Sequence, residues 1–229
     1  MSTAIEMRAL TKRYGGTTVL DRVTCSIEAG AKVALTGANG AGKSTLLAVL
    51  GTLAAASDGS FAIAGHEAER DAAGLRRSIG VLAHSPMVYE ELTPLENLRF
   101  FARLYGVEDG EARASMLLER VGLWRRRHEP TRVLSRGMHQ RLAIARALVH
   151  DPRVLLLDEP ETGLDAEGLA LLDAELLRAP SVTVLAATHQ LARTAEWAEA
   201  RVTLHRGRIE AVEGTGVMAE VATREAVRR

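Results

Sequence analysis

The stretch Gly37-Ala38-Asn39-Gly40-Ala41-Gly42-Lys43-Ser44-Thr45 decides the fold of this chain. It fits the phosphate-binding pattern G-x-x-x-x-G-K-[ST] at every fixed position. The apolar run 32–36 before it predicts a buried strand, and the leucines within 43–53 after it have the spacing of a helix. A strand, a glycine-rich loop and a helix in this order are the context in which the pattern forms a phosphate site.

The residue types of this loop suit a triphosphate. Glycine at 37, 40 and 42 lets the backbone approach a ligand without a Cβ in the way. Backbone N–H groups and the positive end of the following helix dipole then attract phosphate oxygens. Lys43 adds a full positive charge near the β- and γ-phosphates, and the hydroxyl of Ser44 can bind Mg²⁺.

The bulk composition is that of an ordinary globular chain. Of 229 residues, 47% are hydrophobic and 25% are charged, which are usual proportions for a domain with a substantial core. The formal net charge is zero, so charge gives no reason to expect a nucleic-acid or membrane-surface partner. The one cysteine, Cys25, cannot form a disulfide within the chain, and we expect it in the core.

Neither a membrane span nor a secretion signal is expected from the sequence. No apolar run reaches the roughly 18 residues that cross a bilayer. The first residues lack the basic start and apolar centre of a secretion signal. We therefore expect any role at a membrane to come through a partner.

The order of strand and helix patterns predicts an α/β core with an inserted helical lobe. Residues 5–29 predict paired strands, and an apolar strand returns at 153–158 after a long helical stretch. We expect one domain, with a core at about 1–85 and 151–229 and a helical subdomain at about 86–150. The last residues predict a further helix.

One helix start within the helical stretch is marked clearly by its residue types. Thr93 predicts the N-cap, Pro94 the first helical position, and Glu96 the third position of a capping box. Gly106 predicts the end of the same helix.

A second group of candidate residues closes the apolar strand 153–158. In phosphate-loop nucleotidases an acidic residue at such a strand end holds Mg²⁺, and a neighbouring carboxylate can activate the attacking water. Asp158 and Glu159 can share one site only where the strand ends, and Pro160 predicts such an end. By itself the pair would indicate a solvated turn, but the phosphate loop favours the functional interpretation because a cation gives carboxylates a reason to cluster.

Four further motifs resemble those of the ATP-binding cassette (ABC) ATPase family, in family order and at family spacing. They are Leu134-Ser135-Arg136-Gly137-Met138-His139-Gln140-Arg141, then Leu155-Leu156-Leu157-Asp158-Glu159-Pro160, then Thr162-Gly163-Leu164-Asp165, and then Thr188-His189. With the phosphate loop, the resemblance covers essentially the whole chain. It implies the phosphate-loop ATPase fold, with an inserted helical subdomain and an N-terminal antiparallel β region, and hydrolysis of ATP as the activity.

The resemblance also implies roles for single residues. Asp158 resembles the acid associated with Mg²⁺, Glu159 the catalytic base, and His189 the switch histidine that contacts the γ-phosphate. Tyr14 resembles the aromatic residue that stacks on adenine, although an isolated tyrosine is more often a packing residue. The residues implied at the contact between two subunits are Ser135 and Gly137 of the signature, which closes over the ATP of the other subunit, and Asp165, which crosses the dimer interface.

Two positions depart from the family pattern. His84 stands where a glutamine usually links Mg²⁺ and the attacking water to the helical lobe. A histidine can still form hydrogen bonds or bind a metal there, so a catalytic or coupling role is open to it. Arg136 replaces the usual second glycine of the signature, where a long cation could help or obstruct the bound triphosphate.

Within the family, residues 92–106 resemble exporter subunits, and His84 with residues 135–148 resembles the ATP-binding subunit of the cytochrome-c-maturation haem exporter. The resemblance implies ATP and Mg²⁺ as ligands, a second ABC subunit as partner, most simply another copy of this chain, and polytopic membrane permease subunits. It implies a peripheral location on the cytoplasmic face of a prokaryotic membrane.

Several alternatives remain open at this point. One is an exporter for a drug, a lipid or a polysaccharide. Others are a soluble ABC ATPase in a cofactor-assembly complex and one that acts on ribosomes or DNA. A last alternative is a cassette that binds ATP without hydrolysing it, and Glu159 and His189 argue against this last one.

Overall fold

A computed structural model describes residues 2–177 and 181–221. The strands within these residues are β1 Thr3–Tyr14, β2 Thr17–Glu28, β3 Lys32–Thr36, β4 Asp58–Ile63, β5 His66–Glu67, β6 Ile79–Leu82, β7 Val154–Asp158, β8 Thr183–Ala187, β9 Ala200–His205, β10 Arg208–Gly214 and β11 Val217–Ala219. The α-helices are α1 Lys43–Leu50, α2 Ala72–Ser78, α3 Pro94–Tyr105, α4 Gly110–Arg120, α5 Arg136–Leu148, α6 Ala166–Leu172 and α7 Leu191–Trp197. Short 3₁₀ turns lie at 124–126 and 131–133, and α6 continues into a π-helical turn at Asp173–Leu177.

The strands form two sheets. The first is antiparallel and has the order β11-β2-β1-β4-β5. The second has the order β10-β9-β3-β8-β7-β6, in which every pair is parallel except β9 with β10. This arrangement confirms the expected ABC-type α/β fold with an antiparallel β region near the N-terminus.

The central parallel strands are apolar throughout because both faces of their sheet are covered. Successive side chains of a strand point to opposite faces, and β7 shows this directly. Val154 and Leu156 belong to a core shared with α1 and the antiparallel sheet, whereas Leu155 and Leu157 belong to a second core with α3, α4 and α5. Full burial on two faces explains the continuous hydrophobic runs that the sequence shows.

The register of the parallel strands fixes where the polar residues come together. Leu35 of β3 pairs with Ala187 of β8, and Ala187 pairs with Asp158 of β7. The carboxyl ends of these three strands therefore lie side by side. The glycine loop, Glu159 and His189 follow these ends at one edge of the sheet.

The helical stretch between β6 and β7 contains α3, α4 and α5, as the helical periodicity predicts. The capping box at Thr93 is present, because its hydroxyl accepts from the Glu96 N–H and its own N–H donates to Glu96 Oε2. Gly106 ends α3 in a left-handed conformation with φ 71°. These local features were predictable because each depends on residues within one or two turns.

Some helix bounds differ from the predicted ones. The helix after the glycine loop ends at Leu50 rather than at 53, because Gly51 caps it and donates to Leu47 O. The helix of the signature begins at Arg136 rather than Met138, because Ser135 is its N-cap. The segment 217–219 is a strand paired with β2, which the sequence pattern did not predict. The final residues, for which a helix is predicted, lie at 222–229 outside the described residues.

No helix within residues 2–177 and 181–221 combines the length and apolar composition that a bilayer crossing requires. This finding agrees with the expectation from hydropathy.

The buried residue Asn97 on α3 ties the segment before this helix to the lobe. Its side-chain amide donates to the carbonyl of Tyr89 at 2.9 Å and to Thr131 Oγ1 at 3.2 Å. Its Oδ1 accepts from the Tyr89 N–H at 2.8 Å. Asn97 is fully buried, so its loss would leave several buried polar groups without partners.

We expect Asn97→Ala to lower the free energy of unfolding by about 2–3 kcal/mol, since unsatisfied buried groups cost roughly 1–3 kcal/mol each. Urea unfolding measures this change. The exposed residue Arg103 on the same helix provides the control, and Arg103→Ala should change stability by less than about 0.5 kcal/mol. An Asn97→Ala loss as small as that of the control would contradict the assigned bonding.

Candidate nucleotide-binding and hydrolytic site

The glycine loop between β3 and α1 requires glycine at its first position. Gly37 has φ 140°, and a Cβ added there would lie 2.2 Å from the carbonyl oxygen of Leu204. The loop is therefore held against the end of β9. Within the described residues no side chain caps the N-terminus of α1, so the first N–H groups of this helix, which have no partner within the helix itself, remain available to an anion.

Lys43 is buried and its ammonium group lies inside the loop. Nζ donates to the carbonyls of Gly37 at 2.8 Å and Ala38 at 3.1 Å. These two contacts place the positive charge beneath the backbone that would surround the phosphates. The charge is therefore positioned by the loop itself, in accordance with the predicted pattern.

Ser44 and Asp158 meet across the sheet edge. The Ser44 hydroxyl donates to Asp158 Oδ1 at 3.1 Å. The pKa of Asp158 is raised above the ordinary aspartate value, because burial penalises its charged form, while the hydrogen bond from Ser44 acts in the opposite direction. Nearby positive charge from His84 and Lys43 also favours the carboxylate.

Ser44 and Asp158 together match what Mg²⁺ needs from a protein that also binds a triphosphate. Both offer hard oxygen ligands, and Mg²⁺ commonly uses one or two protein ligands and takes the others from phosphates and water. The described residues contain no cluster of three or more His, Cys, Asp or Glu side chains that could hold a metal ion by themselves. The donor set thus fits an ion that is shared with a nucleotide.

Glu159 and His189 lie beside each other after β7 and β8. His189 Nε2 is 2.9 Å from Glu159 Oε1. Glu159 has a left-handed backbone with φ 49°, and its N–H donates to Ala187 O at 2.9 Å. A non-glycine residue in this conformation is uncommon and often occurs at functional sites. The turn allows Asp158 and Glu159 to face one region although they are neighbours in sequence.

The signature helix α5 is tied to the segment that follows Glu159. Ser135 caps this helix by accepting from the Met138 N–H at 3.3 Å. The buried Gln140 donates from Nε2 to Pro160 O at 3.3 Å. A Cβ on Gly137 would lie 3.6 Å from Gly163 O. These contacts fix the position of the signature relative to the acids of its own chain.

The two departures from the family pattern face one cavity. His84 and Arg136 line a space of about 390 Å³ together with Asp158 and Glu159. Arg136 also packs on Gly163, where φ is 80° and an added Cβ would lie only 2.8 Å from Arg136 Nε. The backbone conformation at 163 therefore favours glycine, and a larger residue there would also displace the Arg136 side chain.

The other predicted site residues, Tyr14 and Asp165, lie further out. Tyr14 is 51% exposed at the end of β1, so its ring can meet a ligand. Asp165 is exposed and caps α6 by accepting from the Gly168 N–H at 2.8 Å. Arg141 also donates to Asp165 at 2.9 Å, and these contacts hold the pKa of Asp165 below its ordinary value.

The family of this chain follows from its similarity to known proteins. A family model described as ABC transporter matches residues 20–162. The chain belongs to the ABC transporter family. Its order of motifs and strands is that of an ABC ATPase.

One similar relative of this ABC ATPase is the daunorubicin resistance ATP-binding protein DrrA3 of Streptomyces coeruleorubidus. The two are 38% identical over 217 residues, which cover 93% of this chain and 68% of that protein. A solved ATP-binding subunit of an ABC transporter has a TM-score of 0.86 and 33% identity, and the match covers 93% of this chain and 90% of that one.

A second solved structure shows a dimer. It is an ATP-binding cassette in a post-hydrolysis state, bound to ADP and Pi. Its TM-score is 0.80 at 29% identity, and the match covers 92% of this chain and 98% of that chain.

Sequence reasoning assigned no role to several residues of this ABC ATPase that shape the site. Gln140 and Arg141 lie in the quoted signature stretch, and their place within a family motif was a usable signal. Glu161 accepts a hydrogen bond from Thr188 Oγ1 beside His189. Its link to Thr188 carries no sequence signal, because it depends on the pairing of β7 with β8.

We expect Asp158→Asn to raise the free energy of unfolding of the nucleotide-free protein at neutral pH. The raised pKa of Asp158 means that its charged form is disfavoured by folding, whereas asparagine carries no charge and can still accept from Ser44. The gain should fade as the pH falls through the raised pKa towards about 4, where an unfolded aspartate also becomes neutral.

Thermal and urea unfolding across this pH range measure the effect. Asp58→Asn at an exposed aspartate is the control, and it should show no gain of this kind. A gain for Asp158→Asn that grows on acidification would contradict the assigned cause.

Proposed function

We propose that this chain is the ATP-hydrolysing subunit of an exporter and works as a dimer with a second copy of itself. The observation that carries the proposal is the convergence of Lys43, Ser44, Asp158, Glu159 and His189 at one edge of the parallel sheet. These groups provide a phosphate site, a cation site and a general base within reach of one ligand.

In the proposed reaction, the amides of Gly37 to Thr45 and the ammonium group of Lys43 bind the triphosphate, and Tyr14 stacks on its base. Residues Ser44 and Asp158 would hold Mg²⁺, which when bound neutralises charge on the β- and γ-phosphates. His84 lies near enough to Asp158 to stabilise the carboxylate.

The chemical step is an in-line displacement. A water oxygen bonds to the γ-phosphorus while the bond between that phosphorus and the β–γ bridging oxygen breaks. The Glu159 carboxylate accepts the proton that the water loses. The products are ADP and phosphate. We propose that His189 orients Glu159, which lies 2.9 Å away, and contacts the γ-phosphate.

The second cassette would complete the site. Ser135 and Gly137 of its signature would close over the triphosphate, and Asp165 would cross the interface. The dimeric cassette bound to ADP and Pi supports this arrangement by its similarity. Because Arg141 also holds Asp165, movement of α5 would be passed to the interface. The proposed division into a core, about 1–85 and 151–229, and a helical subdomain, about 86–150, would allow such a movement.

An exposed aromatic surface supports a permease partner. Tyr89, Phe100 and Phe101 form a ring cluster with centroid distances of 5.1–6.2 Å. Tyr89 and Phe100 are 47% and 41% exposed, and Met87 and Leu104 are exposed beside them in sequence. Exposed apolar groups of this kind mark interaction surfaces. We propose that a polytopic membrane permease docks here, and the chain would then work at the cytoplasmic face of the membrane.

The relative named for daunorubicin resistance supports export of a small organic molecule of drug type. Haem as the cargo is supported by the resemblance of residues 84 and 135–148 alone. The relative described above is named for resistance to a drug and gives haem no support. The proposal is therefore export, with the cargo chosen by the permease.

We expect Glu159→Gln to lower the rate of ATP hydrolysis by about 100-fold or more, since loss of a general base typically costs that much. ATP binding should persist, and the variant should accumulate as an ATP-bound dimer in size-exclusion chromatography. Glu119→Gln at an exposed glutamate of α4 is the matched control and should hydrolyse ATP normally. Hydrolysis by Glu159→Gln at the rate of this control would refute the assignment of the base.

We expect Phe100→Ser together with Leu104→Ser to reduce recovery of the membrane permease with the tagged chain by about tenfold, which corresponds to a loss of about 1.4 kcal/mol of binding free energy. The ATPase rate of the isolated subunit should stay unchanged. Met116→Ser removes an exposed apolar residue of α4 and is the matched control. Equal permease recovery with both variants, measured in mild detergent, would rule out docking at the aromatic surface.

A further inference from the structure

Lys12 makes two contacts that no role assigned so far explains. Its Nζ lies 4.6 Å from the centroid of the Tyr14 ring. The same ammonium group donates to the carbonyl of Ala55 at 2.8 Å. We propose that Lys12 is a positioning residue that fixes Tyr14 as the platform for the nucleotide base. This inference rests on the proposed function, which places a base on Tyr14.

The first contact is a cation–π interaction. An ammonium group within about 6 Å of a ring centroid is attracted to the electron-rich face of the ring. Lys12 and Tyr14 are two residues apart at the end of β1, and the 4.6 Å contact shows that their side chains meet there. The ammonium group covers part of the ring, and Tyr14 keeps 51% of its surface exposed. The exposed part is where a base can stack.

The second contact connects the platform to the phosphate site. Ala55 belongs to the segment between α1 and β4, and α1 begins at Lys43. Two further hydrogen bonds hold the same segment to β1. Ser57 N–H donates to Thr11 O at 2.8 Å, and Arg13 N–H donates to Ser57 Oγ at 2.9 Å. The tyrosine is thereby fixed relative to the helix whose N-terminus carries the phosphate-binding residues.

This connection has a physical consequence for affinity. A base and a triphosphate bind together with least loss of freedom when their two sites are held at a fixed separation before the ligand arrives. The exposed Tyr14 side chain would otherwise sample several rotamers, and ordering it would reduce the affinity. Lys12 restrains the ring in advance, because its own amino group is anchored at Ala55.

The charge of Lys12 also affects the stacking itself. Aromatic faces carry partial negative charge and repel each other in a direct face-to-face arrangement. A cation against the tyrosine ring offsets part of that charge, which favours a base on the uncovered area. Stacking of this kind acts on the face of a base and not on its hydrogen-bonding edge. Lys12 should therefore favour adenine and guanine alike.

The test compares ligands that share phosphates but differ in the base. The probes are the non-hydrolysable imido analogues of ATP and GTP and base-free tripolyphosphate, each titrated calorimetrically with Mg²⁺. Lys12→Met should weaken both analogues by about two- to fivefold, the effect of a cation–π contact of roughly 0.5–1 kcal/mol. Tripolyphosphate affinity should stay within about 1.5-fold of wild type, since it lacks the base that would stack on Tyr14. Lys12→Arg should keep most of the wild-type affinity for both analogues, because a guanidinium group can stack on the ring and donate to Ala55.

Two further variants make the outcomes decisive. Arg13→Met removes the same charge from the neighbouring exposed side chain and keeps the backbone bond to Ser57, so it should bind all three probes like wild type. Equal losses for Arg13→Met and Lys12→Met would overturn the inference, as would a Lys12→Met loss that extends equally to tripolyphosphate.

Tyr14→Ala should weaken both analogues by about tenfold. If Tyr14→Ala binds them normally, the base site of the proposed function is wrong. If Tyr14→Ala weakens the analogues but Lys12→Met binds them normally, the base site stands and the role of Lys12 is overturned.

Discussion

The parallel alignment of β3, β8 and β7 is the constraint on which the rest of the structure depends. Leu35, Ala187 and Asp158 stand in register across these strands, so the chain segments that follow the strands start from one edge. The glycine loop, Thr188 with His189, and Glu159 are far apart in sequence and meet only because of this pairing. A slip of one residue would turn every side chain of a strand to the opposite face and separate the group.

The same strands explain how distant parts of the chain reach the site. One face of the sheet carries α1 and the antiparallel sheet, which brings Tyr14 and Lys12 to the base side. The other face carries the helical lobe, which brings α5 and its signature to the segment after Glu159. The carboxyl-end edge of the parallel sheet therefore lies between the antiparallel sheet on one face and the helical lobe on the other.

Much of the fold and of the site was predictable because the signals are local. The glycine pattern, the apolar strands and the capping box at Thr93 each depend on a few consecutive residues, and the resemblance supplied the order of the motifs. The contacts of Lys12 with Ala55 and of Arg136 with Gly163 were not predictable. They join segments more than 25 residues apart, and the packing of the whole fold decides which side chains meet. α1 ends three residues before the predicted end, because the leucine periodicity continues past the glycine that caps the helix.

We propose that the edge of the parallel sheet binds a nucleoside triphosphate under a second cassette. The most direct measurement is a crystal structure of the protein grown with a non-hydrolysable ATP analogue and Mg²⁺. We expect the phosphates against the amides of residues 40–45, the Lys43 ammonium group moved from the carbonyls of Gly37 and Ala38 to the phosphates, and Ser135 of a neighbouring copy over the γ-phosphate. An empty glycine loop at saturating analogue, or a bound analogue with Ser135 directed away from every neighbouring site, would contradict the account.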